Sequence, residues 1–234
     1  MSLTERVLIT GGASGIGAAC VQRCVEDGYE PVVIDRIGEG WIADLSDPDA
    51  TAKVLAEILE EGPITRLINN VGMVSPGDAE TQQIEDLERA WSLNVRCAMQ
   101  CTQALLPGMK AANFGRIVNM SSRAALGKEL RTAYAATKAA LIGMTRVWAL
   151  ELGRYGITSN AIGPGPIRTE LFEKANPPDS PKTQAILDRI PVRRMGSIDD
   201  VAHAASYFLD GRSGFVTGQT LYVCGGMTAG VAGV

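Results

Sequence analysis

The chain contains 234 residues, of which 46% are hydrophobic and 21% are charged, and its formal net charge is −4 with a pI of about 5.2. This length and composition provide enough apolar residues for one large α/β domain. The acidic balance excludes a basic face of the kind that binds nucleic acid or an anionic membrane. The N-terminal residues lack the apolar segment of a signal peptide, and no apolar run approaches the roughly 18 residues of a membrane span. We therefore expect a soluble, cytoplasmic protein.

Short apolar runs alternate with helical patterns along the whole chain. Alternation of this kind predicts a mostly parallel sheet covered on both faces, which is a doubly wound α/β fold. No linker divides the pattern, so residues 1–234 are predicted to form a single domain. The predicted strands are residues 6–10, 31–35, 41–44, 66–69, 115–120, 158–162 and 220–223. The predicted helices are residues 15–27, 48–61 with Asp47 as the cap, 84–112 with a bend near Pro107, 132–155 and 199–209.

Residues 168–195 are the least regular stretch, because they contain Pro177, Pro178, Pro181 and Pro191. Long irregular segments inside compact domains often cover a ligand pocket. We therefore predict that this segment is a lid over a pocket rather than a flexible linker.

The cysteines are odd in number and predict neither a disulfide framework nor a metal site. They are Cys20, Cys24, Cys97, Cys101 and Cys224. Two pairs have i, i+4 spacing, which places both thiols on one helix face and raises the alternative of a zinc site. The chain has no CxxC motif and only one histidine, His203, so we interpret the cysteines as small buried hydrophobic residues.

The first predicted strand runs into a glycine-rich turn, TGGASGIG at residues 10–17, and then into a helix. Glycines allow a ligand to approach the backbone closely, and a helix N-terminus offers unpaired N–H groups to an anion. The spacing differs from the common GxGxxG fingerprint and lacks the GK[ST] ending of a P-loop. We interpret the turn as a pyrophosphate site, and the alternative is a tight turn without a ligand.

Asp35 ends the second predicted strand, about 18 residues beyond the last glycine of the turn. A carboxylate at this place accepts hydrogen bonds from both ribose hydroxyls of NAD and repels the 2′-phosphate of NADP. Arg36 follows Asp35 directly and raises the alternative of NADP, because an arginine at this place can pair with the 2′-phosphate. The other interpretation of Arg36 is that its side chain simply faces water. We predict NAD as the cofactor, with NADP as the alternative.

Six motifs occur in a fixed order: TGGASGIG at 10–17, NNVG at 69–72, LNV at 93–95, NMSS at 119–122, YAATK at 134–138 and PGPIRT at 164–169. Together they resemble the short-chain dehydrogenase/reductase family. The likeness covers essentially the whole chain, through GQTLYVCGG near the C-terminus. It implies a Rossmann-type domain with a seven-stranded parallel sheet.

The resemblance also implies a set of cofactor-binding residues. They are Gly11, Ser14, Gly15, Ile16, Gly17, Asp35, Arg36, Asp44, Leu45, Asn69, Asn70, Val71, Gly72, Tyr134, Lys138, Pro164, Gly165, Ile167 and Thr169. Within this set the glycines match the pyrophosphate turn, Asp44 matches the carboxylate beside the adenine, and the 164–169 segment matches the backbone beside the nicotinamide.

The family's catalytic asparagine, tyrosine and lysine match Asn94, Tyr134 and Lys138. Alignment of NMSS favours Ser122 as the catalytic serine, whereas the usual serine-to-tyrosine separation selects Ser121; we choose Ser122. A free phenol has a pKa of about 10 and needs a neighbouring cation to act as a base at neutral pH. A lysine one helical turn away supplies that cation, so Tyr134 can act as general acid or base without a histidine. By the resemblance, Ser122 positions the substrate oxygen, Lys138 also holds the ribose, and Asn94 holds a water leading to Lys138.

Two features depart from the family pattern. Only eight residues separate Asp35 from Asp44, so the helix that normally connects these strands is predicted to be missing and the third strand to be short or displaced. Cys224 stands where the family often has aspartate, and the sequence offers no physical account of that change.

The leading hypothesis is a hydride-transferring oxidoreductase that acts on a small-molecule secondary alcohol or ketone. The alternatives are an NADPH-dependent 3-oxoacyl-[acyl-carrier-protein] reductase and a dinucleotide-sensing protein without turnover. Arg123 and Arg131 either attract an acidic substrate or face water. Family likeness further suggests a homotetramer or homodimer.

Overall fold

The computed structural model describes residues 5–177 and 180–230, and its seven strands form one parallel sheet. The strands are β1 (Arg6–Thr10), β2 (Glu30–Asp35), β3 (Trp41–Ile42), β4 (Arg66–Asn69), β5 (Gly115–Met120), β6 (Ile157–Ile162) and β7 (Thr220–Leu221). Their spatial order is β3-β2-β1-β4-β5-β6-β7, and every neighbouring pair is parallel. This arrangement confirms the doubly wound fold and the seven-stranded sheet.

Helices cover both faces of this sheet. They are α1 (Gly15–Glu26), α2 (Pro48–Glu60), α3 (Ile84–Trp91), α4 (Cys97–Ala111), α5 (Thr132–Leu152), α6 (Glu170–Ala175), α7 (Pro181–Asp188) and α8 (Ile198–Leu209). Asp47 caps α2 as predicted, because its carboxylate accepts hydrogen bonds from the backbone N–H groups of Asp49 and Ala50. Among the described residues, no helix combines the length and apolarity needed to cross a bilayer.

Two hydrophobic layers fill the space between the sheet and its helices. One layer packs α1 and α8 against the sheet, and the other packs α2 and α4 against the opposite face. All residues of β4, β5 and β6 are buried, as expected for central strands covered on both sides. The five cysteines are all buried, and four of them belong to these two layers, which confirms their interpretation as small core residues.

The connection between β2 and β3 confirms the predicted loss of a helix. Residues 36–40 contain only bends, and β3 is two residues long, with Trp41 level with Ile34 and Ile42 level with Asp35. Gly40, directly before β3, adopts a φ of 114°, a conformation that side chains disfavour, so glycine suits this tight connection. The predicted strand 41–44 is therefore too long by two residues.

Two helix predictions were wrong in detail. Residues 84–111 are helical throughout, as predicted, but the irregularity in this stretch is a π-helical turn, Ser92–Arg96, between α3 and α4, and α4 continues through Pro107. The segment predicted as irregular, 168–195, contains α6 and α7. Both helices are short and begin at side-chain caps, Thr169 and Ser180, which hold their first turns together despite the neighbouring prolines. Pro178, one of those prolines, lies outside the described residues.

Candidate active site

The carboxyl ends of β1, β4, β5 and β6 define one cleft. Strand order reverses between β1 and β4, because the chain first builds outward to β3 and then returns to build toward β7. Ligands of open parallel sheets bind at such a reversal point, outside the carboxyl ends of the strands. The segments that follow these strands carry most of the residues predicted from the sequence.

The glycine turn between β1 and α1 fits a phosphate group. Ser14 occupies the N-cap of α1 without a side-chain hydrogen bond, so the first N–H groups of the helix lack that partner. Gly15 has a φ of 54°, and a Cβ placed there would meet only the Thr169 methyl group, at 3.9 Å, which leaves the N-terminus open to the cleft. A Cβ at Gly17 would lie 1.9 Å from the Gly11 carbonyl oxygen, so only glycine permits this packing. These features suit a dinucleotide pyrophosphate.

Asn70 ties the end of β4 to this turn. Its side-chain nitrogen donates to the carbonyl oxygens of Thr10 and Gly11, both at 3.0 Å. The Thr10 hydroxyl in turn accepts from the backbone N–H groups of Asn70 and Val71, at 3.0 and 3.1 Å. The NNVG segment therefore lies against the turn and holds it in shape.

The Asp35 carboxylate also lies against the glycine turn. One oxygen accepts from the Ala13 N–H at 3.0 Å and the other from the Arg36 N–H at 2.7 Å. Asp44 is held by Ser46, whose hydroxyl and N–H donate to it, and these bonds lower the pKa of Asp44, with a smaller contribution from the Arg36 charge. The side chain of Leu45 is buried in the core rather than exposed in the cleft.

Tyr134 and Lys138 lie one turn apart on α5, as their spacing predicts. The Lys138 Nζ is 5.8 Å from the centroid of the Tyr134 ring and donates to the Met120 carbonyl at 2.7 Å, where β5 ends. A Cβ placed at Gly72 would be 3.1 Å from the Asn94 Oδ1 and 3.2 Å from the Lys138 Nζ. Four segments of the chain therefore converge around this ammonium group.

The charges around Tyr134 differ from the sequence-based expectation. Burial raises the pKa of Tyr134, and the two influences that oppose it are a hydrogen bond with Ser122 and the charge of Arg131. Burial also lowers the pKa of Lys138 to about 8. The expectation that Lys138 is the main group lowering the phenol's pKa is thus not met, because its ammonium faces the Met120 carbonyl and the tyrosine ring.

The two candidate serines have different surroundings. The Ser121 hydroxyl is buried and donates to the Lys138 carbonyl at 2.7 Å, which fixes α5 against the end of β5. The Ser122 hydroxyl accepts from the Ala124 N–H at 3.1 Å and interacts with the Tyr134 phenol. The geometry therefore favours Ser122 as the serine that contacts substrate.

This difference leads to a test with paired variants. We expect Ser122→Ala to lower kcat by about 100-fold, because it removes a hydroxyl that acts on the reacting oxygen. We expect Ser121→Ala to change kcat only a few-fold but to lower the free energy of unfolding by about 1 kcal/mol, because a buried carbonyl loses its donor. Steady-state kinetics and urea unfolding of both variants check this, and the reverse pattern would assign the role to Ser121.

Asn94 lies in the π-helical turn and is buried. Its Oδ1 accepts from the Met73 N–H at 2.8 Å, and its Nδ2 donates to the Met73 carbonyl at 3.1 Å and to the Thr137 hydroxyl at 2.9 Å. The side chain therefore joins the segment after β4 to α5, and its Oδ1, which accepts one hydrogen bond, keeps a second lone pair as an acceptor.

The PGPIRT segment follows β6 and borders the opposite side of the cleft. The Pro164 carbonyl accepts from the Arg123 N–H at 3.0 Å, which joins this segment to the loop after Ser122. The Thr169 hydroxyl accepts from the Phe172 N–H and so caps α6. Ile167 is buried in the hydrophobic layer beneath α8, and a Cβ at Gly165 would lie 2.8 Å from Cys224. Cys224 therefore packs behind this segment through its Cα and Cβ, and its thiol lies 3.4 Å from the Thr228 hydroxyl.

Sequence reasoning missed three positioning residues. Thr10 joins the glycine turn to the segment after β4, and Met73 and Thr137 hold Asn94. Thr10 ends the first strand and could have been recognised there, because a hydroxyl at a strand end can satisfy the backbone of the neighbouring loop. Met73 acts through its backbone, which no sequence pattern reveals.

A family model described as Enoyl-(Acyl carrier protein) reductase matches residues 11–228. This chain belongs to the short-chain dehydrogenase/reductase family. Among curated members of that family, it is 37% identical to the (2S)-[(R)-hydroxy(phenyl)methyl]succinyl-CoA dehydrogenase subunit BbsD of Thauera aromatica, over 97% of this chain and 98% of the relative. It is 32% identical to the 3-oxoacyl-[acyl-carrier-protein] reductase FabG of Thermotoga maritima, over 94% of this chain and 96% of the relative.

Solved structures of short-chain dehydrogenases are also similar. The gluconate 5-dehydrogenase of Burkholderia cenocepacia, determined in complex with NADP and tartrate, superposes with a TM-score of 0.90 and 28% identity over 98% of this chain and 97% of that one. The chain is therefore an oxidoreductase of this family that acts on CH–OH groups with a nicotinamide cofactor, which confirms the leading hypothesis over the sensing protein.

Proposed function

We propose that Ser122, Tyr134 and Lys138 carry the proton chemistry of this oxidoreductase and that NAD(H) is its preferred cofactor. The observation that supports the proposal is the position of the half-buried Tyr134 ring, which lies 5.8 Å from the Lys138 Nζ and close enough to Ser122 for that hydroxyl to lower the pKa of the phenol. When bound, the nicotinamide supplies or accepts the hydride at the substrate carbon.

Each residue has a distinct task. Ser122 hydrogen-bonds the substrate oxygen and positions it beside the Tyr134 hydroxyl. Tyr134 donates its proton to that oxygen in ketone reduction and accepts it in alcohol oxidation. Lys138 has three N–H groups and uses one on the Met120 carbonyl, which leaves donors for a ribose hydroxyl and for the phenol. Asn94 positions α5, the helix that carries Lys138, through its hydrogen bond to the Thr137 hydroxyl. It also holds the water through which protons reach Lys138.

The direct test of this function is a panel of secondary alcohols and ketones, each assayed with NAD(H) and NADP(H). The absorbance of the reduced nicotinamide reports turnover. We expect reversible conversion of at least one alcohol–ketone pair. Absence of turnover across the panel with both cofactors would contradict the proposed substrate class.

The preference for NAD(H) is supported by the position of Asp35. Its carboxylate lies against the glycine turn at the end of β2, where it meets the adenosine ribose of a bound dinucleotide. A 2′-phosphate would approach this carboxylate and be repelled. The charge of Arg36 reaches Asp44 only weakly, as the smallest of the causes that lower the pKa of that carboxyl. The similar gluconate 5-dehydrogenase was determined with NADP, so the phosphorylated cofactor is the alternative that the test must include.

Asp35→Asn tests this preference. We expect the variant to raise kcat/KM with NADPH relative to NADH by about tenfold, because the amide retains an acceptor for the Ala13 N–H but loses the negative charge. Asp49→Asn, which neutralises an exposed carboxylate on α2, is the matched control and should leave the ratio unchanged. An unaltered ratio in Asp35→Asn would remove the basis for the NAD(H) assignment.

A second candidate is the reduction of 3-oxoacyl thioesters with NADPH, favoured by the likeness to the FabG reductase. It uses the same serine, tyrosine and lysine chemistry on a larger substrate.

For the oligomeric state we propose a homotetramer or a homodimer. Three large apolar side chains on two helices are exposed and could be covered by another subunit: Trp91 on α3 and Val147 and Leu150 on α5 expose 48%, 50% and 86% of their surface. The cytoplasmic location and the lid function of α6 and α7 stay predictions.

A further inference from the structure

A cavity of about 310 Å³ lies between the end of the 168–195 segment and the residues that follow β7. Its walls include Pro166, Ile190, Val192, Arg194, Asp200 and residues 221–225. Ser122, Tyr134 and Lys138 do not line it. Cys224, which does, packs against Gly165, so the PGPIRT segment stands between this cavity and the catalytic cleft.

The two walls of the cavity are held together by backbone contacts. The Val192 N–H donates to the Gly225 carbonyl at 3.3 Å. Gly225 has a φ of 62°, and a Cβ there would lie 2.6 and 2.7 Å from the Cγ2 atoms of Ile190 and Val192, so only glycine permits this approach. The Gly196 N–H donates to the Pro166 carbonyl at 3.0 Å and fixes the floor. The cavity is therefore already formed in the folded chain, as small-molecule sites usually are.

Arg193 turns the chain at one of these walls. Its φ of 55° is a left-handed conformation that residues other than glycine adopt only at a cost. The Arg193 guanidinium donates to the Asp188 carbonyl at 3.0 Å and is not part of the lining, whereas its neighbours Val192 and Arg194 both line the cavity. The strained turn therefore presents one apolar and one cationic side chain to the same space.

The Arg194 guanidinium is fixed by Asp200 and still has unused donors. Its Nη1 donates to the Asp200 Oδ2 at 2.6 Å and to the Met195 carbonyl at 3.1 Å, and its Nη2 donates to the Asp200 Oδ1 at 3.0 Å. Asp200 is itself held by the Ser197 N–H, at 2.8 Å. A guanidinium has five N–H groups, so in the part of the chain that the structure describes the Nε–H and one N–H of Nη2 have no acceptor. These two donors form a fork that matches the oxygens of a carboxylate.

The rest of the lining is mainly apolar. Val192 and Leu221, which belong to opposite walls, expose 57% and 42% of their surface. An aliphatic chain that covers them removes apolar surface from water, which is favourable. The cavity therefore combines an apolar body with one cationic group, the usual composition of a site for a small molecule.

We propose that this cavity binds a small aliphatic carboxylate, whose chain covers Val192 and Leu221 and whose oxygens accept from the two unused donors of Arg194. Charge favours this occupant, because Asp200 is already engaged by Arg194 and residues 188–194 contain three arginines and one aspartate. The site is additional to the catalytic one. Since Pro166 lines it, the occupant contacts the PGPIRT segment on the side opposite the catalytic cleft.

Isothermal titration of the full chain with hexanoate, hexanamide and acetate tests the class of ligand. Hexanoate should bind about tenfold more tightly than hexanamide, because a carboxylate forms charge-assisted hydrogen bonds with a guanidinium. Acetate should bind at least about tenfold more weakly than hexanoate, because it lacks the chain that covers the apolar walls. Absence of hexanoate binding at millimolar concentration, or equal affinity for the three probes, would overturn the inference.

Variants then locate the bound hexanoate. Val192→Phe enlarges a side chain at the opening and should weaken hexanoate binding at least about tenfold. Val25→Phe makes the same change at a similarly exposed valine on α1 and should not alter it. Arg194→Gln should abolish the preference for hexanoate over hexanamide while keeping the affinity for hexanamide. Arg193→Gln, whose side chain lies outside the lining, should retain most of that preference.

Binding at another place gives a different pattern. Hexanoate that binds Val192→Phe as tightly as the wild type occupies some other site, such as the catalytic cleft, and this result contradicts the proposal. A preference for hexanoate that survives in Arg194→Gln contradicts it too. No substrate is turned over in these titrations, so their outcome is independent of the proposed function.

Discussion

Tyr134→Phe is expected to lower kcat by about 1,000-fold in both directions, because it removes the general acid and base without changing the shape of the ring. The substrate oxygen then has no group positioned to exchange its proton, and Ser122 can only hold it. Cofactor affinity should change little, since the proposed ribose donor is Lys138 and the pyrophosphate site lies at the start of α1. Steady-state kinetics together with a fluorescence titration of the reduced cofactor separate the two quantities.

Tyr155→Phe is the matched control for this variant. Tyr155 lies beyond the end of α5, and its ring is stacked by Lys110 and Arg154, with their charged groups 4.9 and 4.8 Å from its centroid. The same loss of one phenol hydroxyl there should leave kcat within about twofold, because Tyr155 precedes β6 and lies at the end of the sheet opposite the cleft. Retention of full turnover in Tyr134→Phe would contradict the role assigned to this residue.

The pattern of strands and helices could be predicted because apolar runs and helical faces are local properties of the sequence. The β2–β3 connection was also predictable, since the few residues between these strands cannot contain a crossover helix. The π-helical turn at 92–96 was not, and neither were the hydrogen bonds of its Asn94 to Met73 and Thr137, because they join residues that are distant in sequence. Helices α6 and α7 were not predicted, because the prolines of this segment favour irregular structure. Thr169 and Ser180, which cap these helices, are residue types that indicate a helix start and could have revealed them.

The sequence predicted which residues form the candidate site but not the surroundings of their side chains. The spacing of Tyr134 and Lys138 on one helix face follows from helical geometry, but their environment depends on how α5 meets the end of β5. Burial therefore reversed the expected direction for the pKa of Tyr134, and Arg131 rather than Lys138 is the charge that opposes it.

Lys138→Met is expected to lower kcat by at least about 100-fold and to raise the KM for the cofactor. The methionine fills a similar volume but removes every N–H donor from the group beneath Tyr134. The combined effect distinguishes this residue from Tyr134, whose loss should alter kcat alone. Lys110→Met, which removes a cation stacked on Tyr155, is the control and should leave both constants unchanged. A normal KM for the cofactor would argue against a ribose contact by Lys138.

The same variant should be about as stable as the wild type at neutral pH, although it removes a buried hydrogen bond. Burial lowers the pKa of Lys138 to about 8 from an ordinary value near 10.5, so its charged form costs the folded state about 3 kcal/mol below pH 8. Methionine avoids that cost but leaves the Met120 carbonyl without its donor, a loss of about 1–3 kcal/mol. The two effects nearly cancel.

The pH dependence of stability identifies the first of these effects. Between about pH 8 and pH 10.5 the unfolded chain still binds the lysine proton while the folded wild type releases it, so this group makes the wild type more stable as pH rises. The buried thiols of Cys20 and Cys24, with pKa values raised to about 12, act in the opposite direction above pH 9, but equally in both proteins. The free energy of unfolding of Lys138→Met relative to wild type should therefore decrease across this range in urea titrations. A difference that stays constant with pH would mean that the Lys138 ammonium is not held in a desolvated state.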